Sequence, residues 1–234
     1  MLVANFTPSQ VLEQFRGKKV FITGHTGFKG SWLSLLLSEA GAIIKGYALA
    51  PENISLYGKL EQHLHIDSVI ADLREPGRVS EAISAFQPDY LFHLAAQPLV
   101  RYSYLHPVET FDVNVMGTVH VLEALRKLRG SCAAVIITTD KVYENNETGI
   151  PFGEGDPLGG HDPYSSSKAA AEIVVQSYAK SFFPLQEFNI HQKSVATARA
   201  GNVIGGGDYA TDRIIPDLVQ AIHPPLKRRH PSRP

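Results

Sequence analysis

A short apolar strand, a glycine-rich turn and a leucine-rich helix follow one another near the start of the chain. This order limits the possible fold more than any other feature. The strand covers 18–23, and glycines then recur at three-residue spacing before the helix begins. Such glycines let the backbone approach a pyrophosphate, while the helix start offers free N–H groups and a positive dipole end. We therefore expect a dinucleotide-binding βα unit, with an ordinary turn carrying spare glycines as the alternative.

Every residue of this turn is a candidate contact for the dinucleotide. Lys29 is placed to neutralise a pyrophosphate. His25 stands where many such turns have glycine, so its imidazole either crowds the ligand or bonds to it. The candidate contacts are Gly24, His25, Thr26, Gly27, Phe28, Lys29 and Gly30.

Strands and helices alternate through the rest of the chain. This predicts an α/β fold of the Rossmann type, a doubly wound parallel sheet with helices on both faces. A short capped helix is expected at 7–16, further strands at 42–49, 68–74, 90–97, 133–138 and 194–208, and further helices at 81–86, 107–128, 164–182 and 211–222, the last interrupted by Pro216. The predicted parts are a helical N-terminal extension (1–17), a cofactor-binding domain (18–222) and a proline-rich basic tail (223–234).

Composition excludes several classes of function. The 234-residue chain has a net charge of −1, so no global field attracts nucleic acid or an anionic membrane. Its single cysteine, Cys132, excludes an intramolecular disulfide and fits a reducing cytosol. No cationic start precedes an apolar run, and no apolar stretch is long enough to span a bilayer. We expect a cytoplasmic protein that binds neither nucleic acid nor membrane, and we expect no metal site.

Small and acidic residues stand where the predicted strands end, on the side where such sheets bind ligands. Asp72, which Leu73 follows, could reach an adenine amino group or could instead cap the next helix. Ala95 and Ala96, followed by Gln97, would let a cofactor pass close to the backbone.

The end of the second strand bears on the choice of cofactor. It lacks the acid that usually binds a ribose 2′-hydroxyl, and it also lacks an arginine for a 2′-phosphate. NAD is therefore favoured over NADP. His93, inside the fourth strand, is interpreted as a packed histidine rather than a catalyst.

Tyr164 and Lys168 are the strongest catalytic candidates. They are four residues apart, so they share one face of a helix whose start is marked by Pro163. A nearby cation favours the ionised form of a phenol, so the pair would provide a base on a rigid element. A surface helix face is the alternative.

Polar residues at three other places are further candidates. Thr139, Asp140 and Lys141 directly follow the fifth strand, although the last two could be a solvated loop pair. Asn114 lies on an otherwise apolar helix face and either bridges backbone groups or is exposed. Asn202 either contacts a substrate or forms a turn.

Several of these residues together resemble the extended short-chain dehydrogenase/reductase family, over 18–222. The matching residues are Gly24-x-x-Gly27-x-x-Gly30, Asp72-Leu73, Thr139 and Tyr164-x-x-x-Lys168. Within that family, longer segments such as Thr-Thr-Asp-Lys-Val-Tyr-Glu-Asn at 138–145 resemble the nucleotide-sugar dehydratases that act on CDP-glucose. The Asp140-Lys141 pair is the discriminating feature, because related dehydratases typically carry Asp-Glu or Ser-Glu there.

The resemblance implies an internal redox dehydration of CDP-glucose with NAD as cofactor, in a homodimer or tetramer. Tyr164 would take the 4-hydroxyl proton, Lys168 would keep it ionised and bind the nicotinamide ribose, and Thr139 would orient the sugar oxygen. Asp140 would protonate the departing water. Lys141 would stabilise an enolate or, when neutral, take the C5 proton. Asn202 is the further substrate contact that the resemblance implies, at the phosphates or the sugar.

Members of the family continue well beyond this length and build a smaller substrate domain. The resemblance therefore also implies a truncated chain in which that domain is largely missing. Three interpretations follow: a short active dehydratase, another nucleotide-sugar epimerase or reductase, and an NAD-binding module without enzyme activity. The Asp140-Lys141 pair and the glycine loop at 205–207 speak against the second.

Overall fold

The computed structural model describes residues 7–222. Six parallel strands form one sheet in the order β3-β2-β1-β4-β5-β6. They are β1 (Lys19–Thr23), β2 (Ile43–Ala48), β3 (Ile66–Ile70), β4 (Tyr90–His93), β5 (Cys132–Ile137) and β6 (Lys193–Ala198). The predicted tail at 223–234 and the first part of the predicted extension, 1–6, lie outside the described residues.

Helices connect the strands and confirm the doubly wound α/β fold. They are α1 (Pro8–Glu13), α2 (Phe28–Glu39), α3 (Leu56–Leu60), α4 (Pro76–Phe86), α5 (Val100–Leu105), α6 (Pro107–Phe111), α7 (Gly117–Lys127), α8 (Pro163–Ser181), α9 (Phe188–His191) and α10 (Ile214–Ile222). Between residues 7 and 222, none of these helices has both the length and the apolar character needed to cross a membrane.

Strand β1 shows how the sheet is buried on both faces. Phe21 joins a cluster that contains Ile83 of α4 and Leu122 of α7, while Ile22 joins a second cluster with Leu37 of α2. Successive side chains of a strand point to opposite faces, so α4 and α7 cover one face and α2 covers the other. Burial on both faces explains why the strand is a continuous apolar run rather than an alternating one.

The long helix predicted at 107–128 is present, but its winding changes midway. Helix α6 runs into a π-helical turn, Asp112–Met116, which continues into α7. This turn holds Asn114, whose side chain is 1% exposed. Such π-turns re-aim a single residue without ending the helix, and they are frequent at functional sites.

Several boundaries, two of them at strand ends that bear on the site, and one predicted break differ from expectation. The strand predicted at 68–74 is β3, which ends at Ile70, and the strand predicted at 194–208 ends at Ala198. The expected interruption at Pro216 is wrong, because Pro216 lies in the first turn of a continuous α10. Backbone N–H groups in the first turn have no partner within the helix, so a proline at this position removes no helical hydrogen bond.

A buried carboxylate, Glu172, ties α8 to the ends of β5 and β6. It accepts hydrogen bonds from Thr138 Oγ1 at 2.5 Å and from Arg199 Nε and Nη2 at 2.9 and 3.1 Å. The Arg199 guanidinium also lies over the Tyr143 ring, 4.7 Å from its centroid. Burial disfavours the ionised carboxyl, but the bonds from Arg199 and Thr138 outweigh it and lower the pKa of Glu172.

Replacing Glu172 by leucine would leave Arg199 without its carboxylate, so we expect the free energy of unfolding to fall by about 3 kcal/mol. Because the folded pKa of Glu172 is lowered, its contribution is present above about pH 4.3, the pKa of unfolded glutamate. It is then lost as the pH falls through the folded pKa. Urea unfolding at about pH 7 and below about pH 4 measures both effects.

The matched control is Glu75→Gln, in the exposed pair with Arg78 at 3.4 Å, which should change stability by less than about 1 kcal/mol. Equal losses in the two variants at neutral pH would contradict a structural role for the buried pair.

Candidate active site

The carboxyl ends of β1 and β4 form a crevice, because the strand order reverses between them. Gly24 follows β1 with a φ of +75°, a conformation that other residues rarely adopt. A Cβ at Gly24 would lie 2.7 Å from the backbone nitrogen of Ala95, and one at Gly30 would lie 2.0 Å from the Gly24 carbonyl oxygen. Both positions therefore require glycine, and the turn folds tightly against the segment after β4.

Helix α2 begins directly after this turn. Its N-cap is Gly27, without a side-chain cap, so its first N–H groups are available to an anion. Lys29 adds a positive charge, and desolvation together with the nearby Arg213 lowers its pKa. Thr26 donates to the Leu49 carbonyl at 2.9 Å and ties the turn to the end of β2. Backbone donors and tight glycines form a cradle that fits the pyrophosphate of a dinucleotide.

The side chain of His25 does not face this crevice. Its imidazole is fully buried, 2.8 Å from the Ser68 hydroxyl and edge-on to Tyr57. Burial lowers its pKa to about 4, so the ring is neutral at pH 7. A Cβ at Gly46 would lie 2.4 Å from the ring, so the imidazole fills the room that this glycine leaves. The expectation that the imidazole crowds or bonds a ligand is corrected, and only the backbone of His25 is left to make such a contact.

One buried side chain holds the segment after β4. Ala95 and Ala96 lead to Gln97, whose carbonyl accepts from Asn114 Nδ2 at 3.1 Å and whose N–H donates to Asn114 Oδ1 at 2.8 Å. Asn114 also donates to the Ser167 hydroxyl of α8 at 2.8 Å. The interpretation of Asn114 as a bridge between backbone groups is confirmed. The π-turn that aims it inward left no recognisable pattern in the sequence.

Asp72 lies in the turn after β3 rather than in the strand. Its carboxylate pairs with the Arg74 guanidinium at 2.6 Å and accepts from the Arg74 N–H at 2.9 Å, and these bonds lower its pKa. The N-cap of α4 is Glu75, so the alternative in which Asp72 caps this helix is wrong. The Leu73 side chain packs against Gly117 in the core. Any cofactor contact from Leu73 would therefore come from its backbone.

Lys168 lies at the carboxyl end of β5. Asp162 is the N-cap of helix α8, and its side chain accepts a hydrogen bond from the Ser165 N–H at 3.0 Å. One turn further on, Lys168 is 4% exposed, and its ammonium donates to the Ile137 carbonyl at 2.9 Å. Burial and the charge of Lys29 lower its pKa to about 8, while the buried acid one turn later partly opposes this.

Tyr164 is half-buried in the first turn of α8, and its phenol lies beside the Thr139 hydroxyl. Burial raises the pKa of Tyr164, and the nearby Thr139 hydroxyl and the charge of Arg213 act against that rise. The expectation that Lys168 lowers this pKa is corrected, because the lysine ammonium is directed at the Ile137 carbonyl.

The turn after β5 brings the next candidates to the same place. Thr139 is 8% exposed, accepts from the Lys141 N–H at 3.4 Å and donates to Asp140 Oδ1 at 3.0 Å. Asp140 and Lys141 are exposed. The Asp140 N–H donates to the Ala200 carbonyl at 3.0 Å, so the segment that carries the exposed Asn202 runs beside this turn. The structure thus gathers Thr139, Asp140, Tyr164 and Lys168, with Asn202 nearby.

Arg213, which directly precedes α10, is a candidate that sequence reasoning missed. Its charge lowers the pKa values of both Tyr164 and Lys29, so it acts on both sides of the crevice. The glycine loop before it is held against α2, where Trp32 donates to the Gly206 carbonyl at 3.0 Å. A cation between a glycine loop and an amphipathic helix is visible in the sequence. Its approach to Lys29 depends on the fold.

Known proteins resemble this chain in sequence. CDP-glucose 4,6-dehydratase of Salmonella typhimurium is 50% identical over 208 residues, which cover 88% of this chain and 58% of that protein. CDP-paratose 2-epimerase of Salmonella typhi is 29% identical over 215 residues, or 82% of this chain and 60% of that protein. The chain thus spans about 60% of the length of these curated relatives.

Solved structures of similar fold include enzymes of nucleotide sugars. The epimerase Mth375 of Methanothermobacter thermautotrophicus matches with a TM-score of 0.78 and 25% identity, covering 94% of this chain and 63% of that chain. The dTDP-glucose 4,6-dehydratase of Bacillus anthracis in complex with NAD matches with a TM-score of 0.71 and 25% identity, covering 88% of this chain and 62% of that chain.

A family model described as GDP-mannose 4,6 dehydratase matches residues 21–192, from within β1 to the residue before β6. This span includes the glycine turn, the turn after β5 and the helix that carries Tyr164 and Lys168. The chain therefore belongs to the GDP-mannose 4,6-dehydratase family, within the extended short-chain dehydrogenases/reductases.

Proposed function

We propose that this protein converts CDP-glucose to CDP-4-keto-6-deoxyglucose by internal redox and loss of water. The observation that carries the proposal is the turn after β5, where the Thr139 hydroxyl donates to the Asp140 carboxylate at 3.0 Å and lies beside the Tyr164 phenol. An acid and a base thereby share one orienting hydroxyl, which suits a reaction that moves protons at neighbouring carbons. The 50% identity to a CDP-glucose 4,6-dehydratase supports the choice of substrate.

NAD is the proposed cofactor. The glycine turn and the N–H groups at the start of α2 would hold its pyrophosphate, with Ala95 and Ala96 on the opposite wall. Asp72 would accept from the adenine amino group, and Lys168 with Tyr164 would bind the nicotinamide ribose. When bound, this cofactor supplies the acceptor, and later the donor, of a hydride.

Tyr164 is the proposed base for the sugar 4-hydroxyl. Because burial raises the pKa of its phenol, an ionised form needs compensation from neighbouring groups. The charge of Arg213 and the nearby Thr139 hydroxyl dipole favour the phenolate. With a pKa of about 8, Lys168 stays mostly protonated at pH 7, and its proposed role is to bind the nicotinamide ribose. Arg213 and Thr139 offset part of the desolvation of a buried phenolate.

Asp140 and Lys141 are the proposed residues for the elimination. A ketone at C4 makes the C5 hydrogen acidic, so its removal expels the C6 hydroxyl. Asp140 would give that hydroxyl a proton as it leaves as water. Lys141 would stabilise the C5 enolate or, when neutral, take the C5 proton. In the net reaction C4 is oxidised, C6 is reduced and one water is lost.

Further parts of the proposal concern the protein as a whole. Asn202 is proposed to contact the substrate beside the turn after β5. The boundaries at 17/18 and 222/223, a homo-oligomeric state and a cytoplasmic location stay predictions. A protein that binds NAD without dehydratase activity is the alternative.

Incubating the purified protein with CDP-glucose and NAD⁺ should yield a 4-keto sugar that absorbs in alkali. Mass spectrometry of the product made in deuterium oxide should show one solvent deuterium, bound at C5, because that proton is exchanged during elimination. Binding of NAD⁺ by calorimetry without any product would favour the alternative, and product from dTDP-glucose alone would refute the choice of nucleotide.

Replacing Tyr164 by phenylalanine should lower the rate of 4-keto formation by about 10²- to 10⁴-fold, because the base for the 4-hydroxyl is lost. Tyr178→Phe is the matched control, since Tyr178 lies on the same helix with its hydroxyl on Glu123 at 2.9 Å. Its rate should stay within about twofold of the original. An undiminished rate in the Tyr164 variant would exclude Tyr164 as the base.

Replacing Asp140 by asparagine should separate the two halves of the reaction. Oxidation at C4 needs Tyr164 and should persist, so NADH absorbance should build up while 4-keto product falls by about 10²-fold or more. Asp67→Asn, in a surface pair with Lys45 at 2.6 Å, should change neither signal. Loss of the NADH signal together with the product would place Asp140 in oxidation instead.

A further inference from the structure

A row of buried polar groups links β1, β4 and α7. His93, 2% exposed, lies between two threonines, with Nδ1 at 2.7 Å from Thr23 Oγ1 and Nε2 at 3.2 Å from Thr118 Oγ1. Thr23 Oγ1 also receives the backbone N–H groups of Leu94 and Ala95, each at 3.1 Å. The row thus ends, on one side, at the backbone that borders the proposed cofactor crevice.

The positions of the protons follow from counting donors and acceptors. Thr118 donates to the Asn114 carbonyl at 2.7 Å, so its oxygen is free to accept from His93 and Nε2 must carry a proton. Thr23 Oγ1 already accepts two N–H groups, so its own proton goes to Nδ1. Only the neutral Nε2–H form provides a proton for every bond in the row.

The charge state of His93 agrees with this assignment. Burial and the nearby positive charge of Lys168 lower the pKa of His93 to about 3. An imidazolium would carry protons on both nitrogens, so the Thr23 hydroxyl would lose its acceptor. The hydrogen bonds of the row therefore keep the same donors and acceptors across the pH range in which proteins are stable.

We propose that His93, as the neutral Nε2–H tautomer, is a positioning residue for the dinucleotide site. The inference rests on the proposed NAD-binding function. His93 does not border the crevice itself, but its hydrogen bonds fix the positions of the two chain segments that do. Thr23 directly precedes Gly24, and Asn114, at the other end of the row, holds the backbone of Gln97.

The same row reaches the helix that carries the proposed base. Asn114 accepts the row's last proton at its carbonyl and donates from its side chain to Ser167. Ser167 in turn donates to the Tyr164 carbonyl at 2.7 Å. A change at His93 is thus passed to both walls of the crevice and to the first turn of α8. We therefore expect a substitution of His93 to weaken NAD binding more than it lowers the free energy of unfolding.

Calorimetry with NAD⁺ on the full-length protein tests this proposal. His93→Phe keeps an aromatic ring but leaves the Thr23 hydroxyl proton without its acceptor and the Thr118 oxygen without its donor, so we expect at least about tenfold weaker NAD⁺ binding. His93→Gln should restore affinity to within about threefold, because its amide carries an acceptor and a donor on one carbon, as the two imidazole nitrogens do.

His191→Phe is the matched control. His191 is also bonded through both ring nitrogens, to the Pro184 carbonyl at 2.9 Å and the Lys193 N–H at 3.0 Å, but at the opposite end of the sheet. It should lose thermal stability and keep its NAD⁺ affinity. Equal affinities of the His93→Phe and His191→Phe variants for NAD⁺ would overturn the proposal.

Nitrogen NMR of the imidazole of His93 tests the tautomer without any ligand. A protonated Nε2 and a bare Nδ1, unchanged from about pH 5 to pH 9, are expected, and a protonated Nδ1 would refute the assignment. If the unaltered protein failed to bind NAD⁺, the cofactor assignment and this proposal would both fall. A normal affinity with an unaffected His93→Phe variant would remove this proposal alone.

Discussion

The contact between Gly24 and the backbone of Ala95 is the constraint on which the rest of the structure depends. A side chain at residue 24 would lie 2.7 Å from that backbone, so the glycine turn and the segment after β4 can approach only without one. This approach makes the crevice at the reversal of strand order narrow. It also sets the direction in which α2 leaves the sheet, and hence where its free N–H groups point.

Buried polar side chains then fix the position of α8, which carries Tyr164 and Lys168, relative to the crevice. Asn114 binds the Gln97 backbone and Ser167, so one side chain relates the crevice wall to α8. Glu172 and Arg199 join the same helix to the ends of β5 and β6. Each unpaired buried group would be costly, so these contacts allow one arrangement of α8 against the sheet.

Charge at the site depends on burial rather than on neighbours along the helix. Lys168 follows Tyr164 by one turn, yet its ammonium binds the Ile137 carbonyl, and burial raises the phenol pKa. The cation that acts on the phenol is Arg213, which comes from the far end of the described chain. Sequence spacing placed Tyr164 and Lys168 on one helix but did not reveal the pairs that interact, because those pairs form between separate elements.

By itself, the sequence determined the alternation of strands and helices, the glycine turn, and the residues gathered at the carboxyl ends of the strands. These follow from local periodicity and from the backbone freedom of glycine, which neighbouring residues do not alter. Only the tertiary structure decided that His25 turns inward, that a π-turn aims Asn114 at Gln97, and that Arg213 reaches the crevice. Those outcomes depend on burial and on contacts between distant segments, and neither is encoded in the spacing of residues along one element.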